Sequence, residues 1–326
     1  MTSRVAVRNP RAEAAEILGD GRVGLVLEPS PPAIDQGPWF ADHPTSPAGL
    51  EGDLIVSPVA TGSRSWEAAI HGDERVAAYA REHWLANLKP LGEPPATLID
   101  TRSSLTTLAF HVLAPARQQA NGKIGLRWTI GGFGTPFFGD DRQVRVEGDL
   151  LVVQDGHSVL AEPITTLRAA GRLVGVTPAA PAEIEFHDPP PAVDLDEALL
   201  VDPAAVAFLD DWFGYSTLVL ERLLLLAGSP EDTRVQLWPE HFDTAVELGD
   251  ADAGARAGFG ASPGDQAIPV PYLYVSPWAT QDGEFWNAPF GGAALTLDEL
   301  RATPDPVEAA LTFLGRGRAL LRRDPA

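Results

Sequence analysis

The chain has 326 residues, 45 of them acidic against 24 basic, for a formal net charge of −21. Such a surface repels phosphate backbones and anionic lipid, so neither a nucleic acid nor a membrane is expected as a partner. There is no cysteine, which removes disulfides, thiolate catalysis, iron–sulfur clusters and thiolate zinc sites from consideration.

Residues 1–62 are irregular. Two short strands are expected, Val23–Leu27 and Asp53–Val56, around a Pro-rich loop carrying Trp39, Phe40 and His43. A helix capped by Ser63 or Ser65 follows through "WEAAIHGDERVAAYAREHWLANL". The opening "MTSRVAVRNPRAEAAEILGD" has no apolar core of a secretory signal, and the longest apolar run, "LLLLAG" from Leu223, is far short of a membrane span. A soluble, cytoplasmic protein is the expectation.

"LIDTRSSLTTLAFHVLAPARQQANG" predicts a helix that starts at Asp100 or Thr101, is kinked or ended by Pro115, and closes at Gly122. Strands follow. "KIGLRWTI" alternates, with Ile124, Leu126 and Trp128 on one face. "QVRVEG" and "DLLVVQDG" form a hairpin about Glu147-Gly148-Asp149, and "HSVLAEPI" comes after Asp155-Gly156. The Gly-rich "GGFGTPFFGDD" lacks the spacing of a phosphate-binding loop and reads as a turn or bulge.

Residues 177–203 are Pro-rich and acidic, and read as a connection. Asp202 and Pro203 then open a helix with Val206, Leu209, Phe213, Leu220 and Leu224 at helical spacing, apolar on more than one side. "TRVQLWPEHFDTAVELGD" (233–250) predicts one strand. In the C-terminal region, "TLDE" from Thr296 is a capping box, and a last helix restarts with Thr303 as cap and Pro304 in its first turn.

The fold class is therefore α+β, antiparallel sheets with packed helices. The organisation expected is an N-terminal region with one helix (1–98), a first α+β half (99–176), the connection (177–203) and a second α+β half (204–326), all of which can close into one compact unit. "GFGTPFFGDDRQVRVEGDLLVVQDG" (132–156) lines up with "GFGASPGDQAIPVPYLYVSPWATQDG" (258–283), each after a long helix and a strand ending in Trp, so the halves can be pseudo-repeats.

Four segments, "GFGTPFFGDDRQVRVEGDLLVV", "WPEHFDTAVELG" (Trp238, Phe242, Asp243, Ala245, Val246), "GFGASPGDQAIPVPYLYVSPW" and "LDELRATPDPVEAALTFLGRGRALL", together resemble DUF5996, a family of uncharacterised bacterial proteins. The resemblance covers residues from about 100 to the C-terminus. It implies a soluble α+β protein of bacterial origin and carries no chemistry.

"GASPG" (260–264) has the letters of a serine-hydrolase elbow, but Pro263 after the serine has no N–H for an oxyanion, and no helix follows. A turn explains it. The seven histidines form no metal-binding spacing, so a metal would need distant groups, such as His241 and Asp243 with His157 or with His187 and Asp188. No metal or cofactor is assigned.

On a continuous strand, His241, Asp243 and Glu247 would share one face, opposite Trp238, Glu240, Phe242, Thr244 and Val246. That polar face is either solvated, held by a His–Asp hydrogen bond, or part of a site. The aromatic group Tyr272, Tyr274, Trp278, Phe285 and Trp286, with Asn287 and Asp282 nearby, is either a small core or a pocket wall. Together these point to small-molecule binding in a cleft between the halves, lined by His241, Asp243, Tyr272, Tyr274 and Trp278, with catalysis left open. The alternative is a non-catalytic protein that acts through interaction or self-association.

Overall fold

In the computed structural model, residues 54–56, 63–65, 74, 91–129, 131–138, 142–155, 158–182, 184, 186, 193–227 and 233–322 are described. The strand expected at Val23–Leu27, the loop with Trp39, Phe40 and His43, and nearly all of the helix expected after Ser65 lie outside these residues, as do His157, His187 and Asp188. Among the described residues no helix is long and apolar enough to cross a membrane.

The fold is α+β. A short hairpin of β1 (Leu54–Val56) and β2 (Ser63–Ser65) comes first, so Ser63 and Ser65 sit in a strand rather than at a helix cap. A long helical run follows: α1 (Leu98–Leu108), a π-helical turn (Ala109–Leu113) and α2 (Ala114–Asn121). It begins earlier than Asp100, with Thr97 before its first turn, and ends on Gly122 in the left-handed conformation (φ +74°). Pro115 does not end it. Proline lacks the N–H that would reach the His111 carbonyl, and the wider turn just before it absorbs the ring. The Ala179 N–H donates to that carbonyl, at 3.1 Å.

Strands β3 (Arg127–Thr129), β4 (Gly132–Gly134), β5 (Arg142–Glu147), β6 (Leu150–Asp155) and β7 (Ser158–Pro163) form an antiparallel meander in chain order. The hairpin expected at Glu147-Gly148-Asp149 is present, with Glu147 paired to Leu150 and Gly148 at φ +61°. The Gly-rich segment divides differently from expectation. Gly131 makes the turn (φ +73°), whereas Gly132-Phe133-Gly134 is itself a strand.

Helix α3 (Leu167–Val174) was not expected, although Thr166 caps its start and Gly175 its end. Helix α4 (Pro203–Ala227) runs as read, with the Asp202 carboxylate accepting from the Ala204 N–H. The stretch 233–250 is not one strand but a hairpin. Strands β8 (Gln236–Trp238) and β9 (Asp243–Leu248) pair as Trp238↔Asp243, and residues 239–242 turn between them. Strands β10 (Ala257–Ser262), β11 (Tyr272–Pro277) and β12 (Ala293–Thr296) complete a second five-stranded meander. Helices α5 (Leu297–Arg301) and α6 (Pro306–Leu321) close the chain. The capping box of Thr296 and Glu299 is present, but Asp305 and Pro306, not Thr303 and Pro304, begin α6.

The order helix, five-stranded meander, helix thus occurs twice. The two sheets meet at their first strands, where Leu126 and Leu237 exchange backbone hydrogen bonds of 2.7 and 2.8 Å. The two GFG segments are not in equivalent strands, being second in one sheet and third in the other. They share a physical role, however. Phe133 and Phe259 are fully buried in the core, and the flanking glycines leave room on the opposite face for a long neighbour, Arg145 beside Gly134 and Tyr274 beside Gly260.

Helix α4 packs on β3 and β4 of one sheet and on β9 and β10 of the other, and α6 packs on β11 and β12. The apolar faces of both sheets therefore drain into one continuous core. Its centre is an edge-to-face triad of Phe133, Phe213 and Phe242, with centroids 4.8 to 6.2 Å apart. One ring comes from each sheet's region and one from α4. Phe242 reaches it from the 239–242 turn with φ +54°, a conformation costly for any residue with a Cβ. Truncating this ring should leave a cavity in the centre of the core. Phe242→Ala is expected to cost about 3–5 kcal/mol, read as a lower urea midpoint with an unchanged slope.

Candidate functional site

Each sheet turns one face to the common core and one face away from it. The away face of the first sheet carries Gln143, Arg145 and Glu147 on β5. These groups satisfy one another: Arg145 donates to Gln154 at 3.0 Å and to Glu147 at 3.1 Å, and Gln143 donates to the Thr135 carbonyl at 3.1 Å. The corresponding face of the second sheet is built from Asp243, Ala245 and Glu247 on β9, Gly258 and Gly260 on β10, and Tyr272 and Tyr274 on β11. What marks it out is that its unsatisfied atoms are carboxyl oxygens, those of Asp243 and Glu247 with Glu240 in the adjoining turn.

Tyr274 is the organising side chain. Gly260 pairs with it directly, and a Cβ at Gly260 would fall 2.4 Å from the Tyr274 Cζ and Oη atoms. With no side chain there, the Tyr274 ring lies across β10 and reaches β9, where its hydroxyl donates to Asp243 Oδ2. Asp243 is only 6% exposed, and its other oxygen, Oδ1, has no hydrogen-bond partner among the described residues. Burial pushes the Asp243 carboxyl above the usual carboxylate range, opposed in part by His241 and the Tyr274 hydroxyl. The phenol of Tyr274 is pushed up as well, by burial and by the adjacent carboxylates, so it remains a donor at neutral pH.

Two more carboxyls flank Asp243. Glu240 sits in the turn, and Glu247 lies two positions beyond Ala245 on the same face as Asp243. Burial pushes both up to about 7. Glu240 Oε2 and Glu247 Oε2 lack hydrogen-bond partners among the described residues, although the Arg256 guanidinium stands 3.8 Å from Glu247, beside Trp278. At the other end, the Tyr272 hydroxyl donates to Asp265 at 2.5 Å. Arg102 of α1 arrives there from the first half of the chain, donating to the Pro263 carbonyl at 3.1 Å. Phe290 closes a ring group with Tyr272 and Tyr274, all centroids 6.1 to 6.3 Å apart.

The residues expected to line a site are partly brought together. Asp243, Tyr272 and Tyr274 share this face. His241 does not share a strand face with Asp243, because it lies exposed in the turn, and no hydrogen bond joins the two among the described residues. Trp278 follows β11, is 66% exposed, and lies against Arg256 at the rim. The expected aromatic cluster is split by the sheet. Phe285 belongs to the α6 side, packed on Trp286 and Phe313, and Asn287 is spent on the backbone of Ala294 at the edge strand. The face lies on the second sheet, with Arg102 alone described as arriving from the first half, rather than in a cleft shared equally by both. The serine of "GASPG" ends β10 and accepts from the Gly264 N–H, as a turn requires.

Sequence reasoning set aside Glu240 as core-facing and had no signal for Asp265, Phe290 or Arg102. The Pro239-Glu240 pair inside an otherwise alternating run was the one cue to a turn. Among the described residues, no three His, Asp or Glu side chains are grouped so as to hold a metal ion. Compared with known proteins, the chain matches no family model, no curated protein and no solved structure.

The raised carboxyls carry a sign. A carboxyl whose folded value lies above its ordinary value of 4.5 holds its proton more tightly in the folded state. Its contribution to stability is fully present below about 4.5 and is lost as pH rises through about 7. A Glu240→Gln/Glu247→Gln double variant lacks this loss. Its melting temperature relative to the wild type should therefore climb steadily between about pH 5 and about pH 8, measured by thermal denaturation at matched ionic strength.

Proposed function

We propose that this chain binds a small molecule on the Asp243–Tyr274 face of the second sheet. The observation that carries the reading is Asp243 Oδ1, a carboxylate oxygen buried with no donor among the described residues. Leaving such a group unpartnered costs on the order of 1–3 kcal/mol or more, so it calls for a specific explanation. A ligand that supplies the missing donor is one. The surrounding rings of Tyr272, Tyr274 and Phe290 offer the apolar walls of a small-molecule site, and the satisfied network on the first sheet is the same architecture without one.

Groups that titrate near neutrality are those suited to proton exchange, so catalysis on the bound molecule is compatible with Glu240 and Glu247. The strongly acidic composition supports a soluble, cytoplasmic setting. Self-association is supported less well. Leu160 is exposed on the edge strand β7, but Glu162 and Pro163 on the same strand are the residues that discourage edge pairing.

A survey by ligand-observed NMR with a mixed fragment set of neutral, anionic and cationic compounds tests the reading. Fragments that bind the wild type should lose at least about tenfold in affinity, on the order of 1.4 kcal/mol, in Asp243→Asn and Tyr274→Phe. They should keep their affinity in Leu160→Ala, which lies on the other sheet. A fragment set that never binds, or binds all variants alike, contradicts it.

A further inference from the structure

We infer that the molecule taken up by this face carries an organic ammonium group, which donates to Asp243 Oδ1 beside the rings of Tyr272, Tyr274 and Phe290. The inference rests on the small-molecule reading and names its chemical class.

The donors and acceptors of the face are unequally matched. Asp265 is fully occupied, since its carboxylate accepts from Tyr272 and from the N–H groups of Ala267 and Ile268. Glu247 faces Arg256 and Trp278. The basic groups around the site are committed elsewhere: Arg102 to the Pro263 carbonyl, and Arg256 to the Gly249 carbonyl and the Glu247 carboxyl. His241 acts on Asp243 and Glu240 through charge, with no hydrogen bond to either among the described residues. Asp243 Oδ1 and Glu240 Oε2 are left as acceptors without donors among the described residues.

Burial makes the Asp243 carboxyl hold its proton more tightly than usual, and an opposite charge beside it favours the ionised form, which accepts only, far better than a neutral donor does. An inorganic cation would need several convergent oxygen or nitrogen ligands, a grouping that does not occur among the described residues. An ammonium group needs one carboxylate and tolerates aromatic walls, whose faces attract it. The chain as a whole, at a formal net charge of −21, draws cations in.

Proton linkage follows from the same geometry. A cation beside Asp243 favours the ionised forms of Glu240 and Glu247, whose values lie at about 7, so binding expels protons. His241, Arg256 and Arg102 oppose the cation, whereas Asp265 and the rings of Tyr272 and Tyr274 favour it.

The test uses the full chain with three probes of one shape, benzylammonium, benzyl alcohol and benzoate, by ligand-observed NMR and calorimetry. Benzylammonium should bind at least about tenfold tighter than benzyl alcohol and tighten from about pH 6 to about pH 8. Calorimetry in two buffers of different ionisation enthalpy should show proton release, reduced in Glu240→Gln and in Glu247→Gln. Asp243→Asn should abolish the preference for benzylammonium. Should that variant fail to fold, the proton release lost in Glu240→Gln decides the same question. Equal or tighter binding of benzyl alcohol overturns the ammonium inference and leaves the small-molecule reading intact. Binding of none of the three also overturns it, and the small-molecule reading then stands or falls on the fragment survey.

Discussion

The burial of Phe242 decides most of what is distinctive here. Its ring completes the triad with Phe133 and Phe213, which ties both sheets to the central helix α4. To reach that position the residue adopts φ +54°, and the Phe242 N–H donates to the Trp238 carbonyl at 2.7 Å, closing the turn. The strain of a left-handed residue, about 1–2 kcal/mol, is outweighed by the cost of truncating a buried aromatic ring, about 3–5 kcal/mol. Within β9, which starts at Asp243, side chains alternate, so Thr244 and Val246 buried toward the core put Asp243 on the opposite face. Core packing thus places a carboxylate on the far face of the sheet, where its own preference would be for water.

That far face is then covered by the molecule's own side chain. Glycine in a central strand is unfavourable unless something must approach closely. At Gly260 the approaching group is the Tyr274 ring, which spans β10 and seals one oxygen of Asp243. The first sheet repeats the device with Gly134 and Arg145, but there the long side chain brings its own donors, and the network closes on itself. The Arg145 network of the first sheet is thus satisfied, whereas on the second sheet Asp243, Glu240 and Glu247 each keep a carboxyl oxygen without a donor among the described residues. The proposal of a ligand site rests on this contrast within a single chain.

Much of the fold was legible because its signals are local. The cap Asp202-Pro203 and the apolar spacing of α4, the Glu147-Gly148-Asp149 hairpin and the Thr296–Glu299 capping box each depend on residues a few positions apart. The turn at 239–242 was hidden because Trp238, Phe242, Thr244 and Val246 keep a two-residue rhythm straight through it. That rhythm correctly put Asp243 and Glu247 on one face and wrongly added His241. Glycine in "GGFGT" was read for its freedom, when only Gly131 uses it and the others serve close packing. The partners of Asp243 and Asp265, namely Tyr274 and Tyr272, are adjacent in space through strand register and a loop. Arg102 lies some 160 residues away in the chain from its partner Pro263. No local pattern encodes such contacts.

The most direct test of this account is a titration of the glutamate carboxyl carbons by NMR in uniformly labelled protein, with Glu240→Gln and Glu247→Gln used for assignment. The account predicts that these two carboxyls titrate near 7, well apart from the solvent-exposed glutamates. Two signals that titrate with the others, near the ordinary value of 4.5, would show that the face is open to water and would remove the basis for a site on it.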